Sequence, residues 1–220
     1  MKSIAIIGLG SFGFNFAKNI QSQGIDVIAI DSNPDVVQAI SEFIPRAIVA
    51  DATDRKQLKD LGIDSVDVAV VSLGDRMDKS IIAVLHLKSL GIKEIFVKAI
   101  SDEHAHILEL LDVSKVIHPE KDAAERLAKS IVNPNILEYL PLMGEFSVME
   151  IEAPEEFFGK NLVELNLRQQ YGITVIAVSH SNKDRRIVAP TPSYIISKGS
   201  ILVIIGENKD IERFQRKFSK

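Results

Sequence analysis

The stretch Ile4-Ala-Ile-Ile-Gly-Leu-Gly-Ser-Phe-Gly13 decides the fold of this chain. Its apolar, β-branched start predicts a strand that is buried on both faces, as in a parallel sheet. The glycines have the spacing G-x-G-x-x-G between this strand and an amphipathic helix. In such a turn Gly8 makes the bend, Gly10 lets the backbone approach a phosphate, and Gly13 lets the helix pack on the strand. The helix N-terminus offers N–H groups and positive potential to an anion.

A carboxylate follows at the distance that a nucleotide-binding turn requires. Asp31 ends the next predicted strand and lies 18 residues beyond Gly13. This spacing predicts a carboxylate that binds ribose hydroxyls, although Asp31 could instead simply end the strand. Ser32 and Asn33 follow, and with no Arg or Lys there, nothing favours a 2′-phosphate.

The rest of the first half continues the alternation of strands and helices. Further strands are predicted at residues 47–50, 66–72, 94–99 and 115–118, which makes a doubly wound, Rossmann-like parallel sheet. In the turn Asp51-Ala-Thr-Asp54, Thr53 or Asp54 can cap the next helix, and the same turn can contact an adenine; the two roles are compatible. The helix from Met77 to about Leu90 is apolar nearly all round, which indicates burial on two sides, by the sheet and by a second subunit or the second domain.

The pattern changes in the second half. A helix from Pro119 to about Asn133 and a second helical piece at residues 136–143 are predicted to connect two domains. After Gly144, strands are predicted at residues 146–151, 173–178 and 200–205 and near Ile187, with a final helix at 210–218. We therefore expect an N-terminal domain at residues 1–120, a helical connector at 121–144, and a small α+β domain at 145–220.

Composition narrows the classes of function. The net charge of −4 argues against nucleic acid as a partner, which needs clustered positive charge. The absence of cysteine excludes disulfides and favours a reducing compartment. The chain enters its first strand directly, so we expect no signal peptide, and no apolar run approaches the ~20 residues that span a bilayer.

The sequence offers few side chains suited to catalysis, so we expect that the chain is not an enzyme. Hydride transfer needs a His, Lys or Tyr that manages a substrate proton beside the nicotinamide. His104 and His106 are two positions apart on one helix and point to different sides. His86 lies among apolar residues, and His180 lies in a polar turn. A nucleotide-binding domain that senses rather than reacts is the better hypothesis.

Several motifs together resemble a known family, the RCK domain (regulator of potassium conductance), in its KtrA/TrkA-type form. The motifs that carry this resemblance are Gly8-Leu-Gly-Ser-Phe-Gly13, Asp31, Asp51-Ala-Thr53, Val97-Lys-Ala99, His118-Pro-Glu-Lys-Asp122, Asn166-Leu-Arg168, Tyr171-Gly172 and Lys209-Asp-Ile-Glu-Arg-Phe214. The resemblance covers nearly the whole chain.

The resemblance implies a cytoplasmic regulatory subunit that gates a bacterial Trk/Ktr-type potassium uptake system. The chain would form homodimers that assemble into a ring, typically an octamer, on the inner face of the membrane. Its partner would be a potassium-translocating membrane subunit of the KtrB or TrkH type, and ATP and ADP would favour different ring shapes. By analogy the nucleotide-binding residues are Gly8, Gly10, Ser11, Phe12, Gly13, Asp31, Ser32, Asp51, Ala52, Thr53, Ser72, Leu73, Gly74 and Lys98.

Two further sites are implied by the resemblance. Glu120 matches a carboxylate through which some relatives hold a divalent cation near the phosphates, and Mg²⁺ or Ca²⁺ would suit such oxygen ligands. The alternative is that Glu120 only offsets the dipole of its helix. Cyclic di-AMP would bind between two C-terminal domains and inhibit transport. Its candidate residues are Leu162, Val163, Arg168, Ile173, Thr174, Val175 and Pro190.

Ser11 is a departure from the family. Relatives commonly carry arginine at this position, and a neutral hydroxyl does not replace its charged donors. We therefore predict that ATP gains little affinity over ADP, and ADP, AMP or NAD are plausible ligands. The alternatives are a small NAD-dependent oxidoreductase, which turnover of NADH would reveal, and a stand-alone nucleotide sensor, which would purify without a membrane partner.

Overall fold

The computed structural model describes residues 2–74, 76–132, 136–142, 144–180 and 184–218. The chain forms two compact units, Met1–Glu120 and Lys121–Lys220. Among the described residues, no helix has both the length and the apolar character needed to cross a membrane.

The first unit is a six-stranded parallel sheet with intervening helices. Its strand order is β3-β2-β1-β4-β5-β6, and every pairing is parallel. The elements in chain order are β1 (Ser3–Ile7), α1 (Ser11–Ser22), β2 (Asp26–Asp31), α2 (Pro34–Ser41), β3 (Arg46–Val49), α3 (Arg55–Asp60), β4 (Val68–Val71), α4 (Met77–Ser89), β5 (Glu94–Lys98), α5 (Asp102–Leu110), β6 (Lys115–Ile117) and α6 (Pro119–Val132). The predicted Rossmann-like sheet is confirmed.

Strand β1 is buried on both faces, as its apolar run predicts. Ala5 and Ile7 belong to one hydrophobic cluster, and Ile4 and Ile6 belong to another. Successive side chains of a strand point to opposite faces, so the two clusters cover the two sides of the sheet. Because β1 lies between β2 and β4, the strand order reverses there. Open α/β sheets bind ligands at such a switch point, beyond the carboxyl ends of the strands.

The second unit is an antiparallel sheet with short helices, and the predicted small α+β domain is confirmed as a fold. The sheet order is β10-β9-β11-β8-β7. The elements are β7 (Ile136–Pro141), β8 (Phe146–Glu152), α7 (Leu162–Leu165), α8 (Leu167–Tyr171), β9 (Thr174–His180), β10 (Asp184–Val188), β11 (Ser200–Glu207) and α9 (Asn208–Phe218). Its core cluster gathers residues from the sheet, α7, α8 and α9.

The helical piece predicted at residues 136–143 is wrong. This segment forms β7, which pairs antiparallel with β8 in the register Ile136↔Ile151 and Leu140↔Val148. A short apolar run satisfies helical and extended patterns equally, and the available edge of β8 decides between them. The predicted connector at residues 121–144 is therefore helical only in its first part, where α6 continues to Val132.

Candidate functional site

The glycine turn is shaped by close backbone contacts. Gly8 has φ +90, and a Cβ on it would lie 2.2 Å from the Ser72 carbonyl oxygen. A Cβ on Gly13 would lie 2.0 Å from the Gly8 carbonyl oxygen. Gly10, in contrast, faces open space, with no atom within 4 Å of a Cβ position. Gly8 and Gly13 are thus required for packing, whereas Gly10 leaves the backbone accessible to a ligand.

Helix α1 begins in this turn without a side-chain cap. Gly10 is the N-cap residue, and within the described part of the chain no side-chain cap hydrogen bond is formed there. Ser11 is exposed, and Phe12 stacks on Phe16 with ring centroids 5.7 Å apart. Phe12 therefore contributes to packing, while the N-terminus of α1 remains open to an anion.

Asp31 ties the end of β2 to the glycine turn. Its Oδ2 accepts a hydrogen bond from the Leu9 N–H at 2.7 Å, and its Oδ1 accepts one from the Asn33 N–H at 2.8 Å. Carboxylate oxygens have further lone pairs, so Asp31 can still accept ribose hydroxyls. Ser32, next to it, is exposed. The carboxylate predicted from spacing alone is therefore also an organiser of the turn.

The turn after β3 is fixed by Asp51. Its Oδ1 accepts hydrogen bonds from the N–H and hydroxyl of Thr53, at 2.9 and 2.7 Å, and its Oδ2 pairs with Lys79 Nζ at 3.2 Å. The bonds from Thr53 and Lys79 lower the pKa of Asp51. Ala52 is buried. The cap of α3 is Asp54, which accepts from two N–H groups, so Asp51, Ala52 and Thr53 are not needed for capping.

The loop after β4 packs directly beside the glycine turn. Ser72 is buried, and its N–H donates to the Ile7 carbonyl at 2.7 Å. Its carbonyl oxygen is the atom that closes the space beside Gly8. Leu73 is half-buried and Gly74 is exposed. The structure thus brings Ser72, Leu73 and Gly74 next to the phosphate-binding turn.

Lys98, the last residue of β5, forms an ion pair with Glu120 in the first turn of α6. The hydrogen bond from Lys98 lowers the pKa of Glu120. No group of three or more His, Asp or Glu side chains that could hold a metal ion occurs among the described residues. A lone carboxylate that already binds an ammonium group does not make a preformed cation site. The Mg²⁺ or Ca²⁺ site at Glu120 stays a prediction, and no function is derived from it.

Three contacts at this site were not predicted from the sequence. The Leu9 N–H contributes through its backbone, which no residue type signals. Lys79 reaches Asp51 from α4, and His86 Nε2 lies 3.1 Å from the Thr53 carbonyl oxygen. A carbonyl can only accept, so Nε2 of His86 donates. These contacts depend on packing between distant segments.

The candidate cyclic di-AMP residues are spread between the surface and the core of the second unit. Val163, Arg168 and Thr174 are exposed, whereas Leu162, Val175 and Pro190 are half-buried. Ile173 is fully buried in the core cluster. The side chain of Ile173 therefore packs inside the unit, whereas the other six candidate residues are exposed or half-buried.

Helix α4 is less buried than the pattern predicts. Ala83, Val84 and Leu87 are fully buried, but Ile82 and Leu85 are 39% and 47% exposed. The sheet covers one side of the helix, and the other side carries the apolar residues that were expected to meet a second subunit or the second domain.

His104 is buried in the first turn of α5. It is 1% exposed, Nδ1 accepts from the Ile100 N–H at 3.4 Å, and Nε2 has no partner in the described part of the chain. Burial, with a smaller effect of His118, lowers the pKa of His104. His106, two residues on, has a side chain that is 72% exposed.

We expect His104 to make stability depend on pH. Burial in the folded state disfavours the protonated form of His104, whereas the unfolded chain takes up the proton near pH 6.5. Stability should therefore be full above about pH 6.5 and decrease as the pH falls below it. Urea denaturation at pH 7.5 and 5.5 measures this difference. His104→Asn, which keeps an acceptor for the Ile100 N–H, should reduce it, and His106→Asn is the control. An unchanged pH difference in His104→Asn would contradict the assignment.

Comparison with known proteins identifies two family domains in the chain. The TrkA-N domain matches residues 4–119 and the TrkA-C domain matches residues 147–219. The chain is 37% identical over 216 residues to the Ktr system potassium uptake protein C of Bacillus subtilis (strain 168), covering 98% of this chain and 97% of that protein. It is 36% identical over 214 residues to the Ktr system potassium uptake protein A of the same organism, covering 97% and 96%.

A solved structure shows the same fold. The GsuK channel bound to NAD aligns with a TM-score of 0.54 at 20% identity, over 99% of this chain and 38% of the channel chain. This chain thus spans well under half of that protein, and the likeness concerns the fold alone. The two domain matches and the near-complete coverage of the Ktr relatives go further and confirm the resemblance predicted from the motifs. The chain belongs to the TrkA family of KtrA/TrkA-type RCK proteins, in which a TrkA-N domain is followed by a TrkA-C domain.

Proposed function

We propose that this chain is a nucleotide-binding regulatory subunit of a Trk/Ktr-type potassium uptake system and that it catalyses no reaction. The observation that carries the proposal is the glycine turn held by Asp31, in a chain that matches Ktr proteins along nearly its whole length. The nucleotide-binding domain comprises residues 1–120. Residues 145–220, joined by β7, form the second domain, and residues 121–132 belong to the connecting helix.

The ligand of the first domain is an adenine nucleotide: ADP, ATP, AMP or NAD. The backbone around Gly10 and the N-terminus of α1 bind phosphate, which is supported by the open space there and by the missing side-chain cap. Asp31 binds the ribose, and the turn from Asp51 to Thr53 lines the adenine. Ser72 to Gly74 complete the wall beside the phosphates, with Lys98 at the edge.

Regulation follows from differential affinity. A ligand that binds one conformation of the assembly more tightly shifts the population towards it, by no more than that difference in affinity. The assembly is a ring of homodimers, which the exposed Ile82 and Leu85 of α4 support. The membrane subunit, of the KtrB or TrkH type, responds to the ring's conformation from the cytoplasmic side.

Cyclic di-AMP is the proposed inhibitory ligand of the second domain. The exposed guanidinium of Arg168 can pair with a phosphate, and the exposed Val163 can pack on an adenine. Binding between two copies of the domain would restrain the ring in one conformation. A titration of the purified chain with cyclic di-AMP, compared with Arg168→Gln, tests this ligand separately from the nucleotide of the first domain.

Calorimetric titration of the full chain with ADP, ATP, AMP and NAD tests the main proposal. We expect adenine nucleotides to bind, with ATP little tighter than ADP because Ser11 adds no charge. Binding much tighter for ATP would contradict that preference. Absence of binding by any of them would overturn the proposed function, and turnover of NADH with a carbonyl substrate would replace it with an oxidoreductase.

Asp31→Asn should weaken the binding of every adenine nucleotide by tenfold or more. A hydrogen bond to a charged group contributes about 1.5–3 kcal/mol, and the loss would include both the ribose contact and the order of the turn at Leu9. The matched control is Asp26→Asn, the same change at the other end of β2, where the carboxylate forms an exposed ion pair with Arg46. Equal affinities of the two variants would argue against Asp31 as a ribose ligand.

A further inference from the structure

The loop after β4 carries a cationic side chain, Arg76, close to the glycine turn. The Arg76 N–H donates to the Leu73 carbonyl oxygen at 3.3 Å, which holds the Arg76 backbone beside Leu73. The Ser72 carbonyl and the Leu73 nitrogen are the atoms packed against Gly8. The Arg76 side chain therefore starts within reach of a phosphate bound at the turn.

Arg76 is held by an acidic neighbour. Its Nε donates to Asp78 Oδ1 at 3.3 Å and its Nη2 donates to Asp78 Oδ2 at 3.2 Å. This is the two-pronged geometry in which a guanidinium also binds a phosphate. The two side chains are 57% and 63% exposed, so solvent weakens the pair and a phosphate can compete with Asp78 for the guanidinium.

Other cations near the crevice are less available. The glycine turn itself contains no charged residue, and Ser11 is neutral. Lys98 is bound to Glu120, and Lys79 is bound to Asp51 with a side chain that is only 30% exposed. In the sequence from Ser72 to Asp78, Arg76 is the single cationic residue. It is therefore the best-placed side chain to meet the charge of a terminal phosphate.

We propose that Asp78 restrains Arg76, and that the terminal phosphate of a bound adenine nucleotide takes the place of Asp78 on the guanidinium. The Arg76–Asp78 pair then determines how much the binding affinity changes with the number of phosphates on the nucleotide. With Asp78 present, binding of a further phosphate exchanges the Arg76–Asp78 ion pair for a similar Arg76–phosphate ion pair. The net gain in binding free energy is small, which explains why ATP is expected to bind little more tightly than ADP. This inference rests on the proposed nucleotide-binding function and adds the residues that determine its phosphate preference.

Calorimetric titration of the full chain with ADP and ATP tests the pair. Asp78→Asn keeps the shape of the side chain but removes its negative charge from the contact with Arg76, and we expect it to bind ATP about threefold to tenfold more tightly and to widen the gap between ATP and ADP. Arg76→Gln should weaken both ligands, ATP more than ADP. The double variant should behave like Arg76→Gln, because Asp78 acts only through Arg76.

Asp26→Asn is the matched control, since it removes one negative charge from an exposed Arg–Asp pair at the opposite end of the sheet. If Asp26→Asn gains as much ATP affinity as Asp78→Asn, the change in net charge alone explains the effect and the inference is overturned. If the wild type binds nucleotide and both Asp78→Asn and Arg76→Gln bind it equally well, the inference is overturned and the proposed function stands. A wild-type chain that binds neither nucleotide would remove both. Circular dichroism melting of each variant identifies any that is unfolded at the titration temperature.

Discussion

Gly8→Ala is expected to lower the free energy of unfolding of the first unit by about 3 kcal/mol or more. Two costs add at this position. The backbone has φ +90, which an L-residue with a Cβ rarely adopts, and the new methyl group would lie 2.2 Å from the Ser72 carbonyl oxygen. The three nearest atoms, Ser72 O, Ser72 C and Leu73 N, all belong to the backbone of the loop after β4, so no side chain can swing away. Urea denaturation followed by circular dichroism measures the loss.

Gly24→Ala separates the two costs. Gly24 has φ +78, close to that of Gly8, but no atom lies within 4 Å of its Cβ position. This control should lose only about 1–2 kcal/mol, the usual cost of the left-handed conformation. The excess in Gly8→Ala then measures the contact between the glycine turn and Ser72. If the two variants lose equal stability, the close approach seen in the structure does not constrain the turn.

The glycine turn illustrates what the sequence alone can predict. A buried strand, the spacing of three glycines and a following amphipathic helix are local patterns, and each has a local physical cause. The parallel sheet follows from repetition of that unit, because alternating strands and helices bury apolar residues on both faces, as Ile4 to Ile7 do. Asp31 was also identified from spacing, and the structure places its carboxylate beside the turn, where it accepts from the Leu9 N–H, while ribose binding stays a prediction.

Features that depend on distant partners were beyond local patterns. Residues 136–141 form a strand because β8 offers an edge, not because their own sequence excludes a helix. The bond from Leu9 to Asp31 uses a backbone N–H, and Arg76 meets Asp78 in a side-chain geometry that spacing alone does not specify. His104 was classified by its helical position, whereas its burial without a partner for Nε2 follows from packing.

Phe214→Ala should produce a loss of similar or larger size in the second unit, about 3–5 kcal/mol. Phe214 is fully buried on α9, and its ring centroid lies 4.8 Å from Phe218, 5.4 Å from Tyr171 and 6.0 Å from Phe157. Truncation removes the centre of this aromatic cluster, and close-packed neighbours can refill the space only in part. Helix α9 would then lose its aromatic contacts with Phe157 and Tyr171.

Tyrosine fluorescence is a selective probe of this loss, because the chain has no tryptophan and its three tyrosines all follow residue 120. The control is Phe146→Ala, the same truncation in the same unit at a ring that is 45% exposed, where little apolar area is lost. Phe214→Ala should move the tyrosine-detected transition to lower urea, and Phe146→Ala should leave it nearly unchanged. Because the Phe214 ring packs against Tyr171, the tyrosine fluorescence of the folded state should also change in Phe214→Ala but not in Phe146→Ala. Transitions that coincide in the two variants would mean that the aromatic cluster contributes no more to stability than a surface ring, and that α9 is anchored by Ile211 and its remaining contacts.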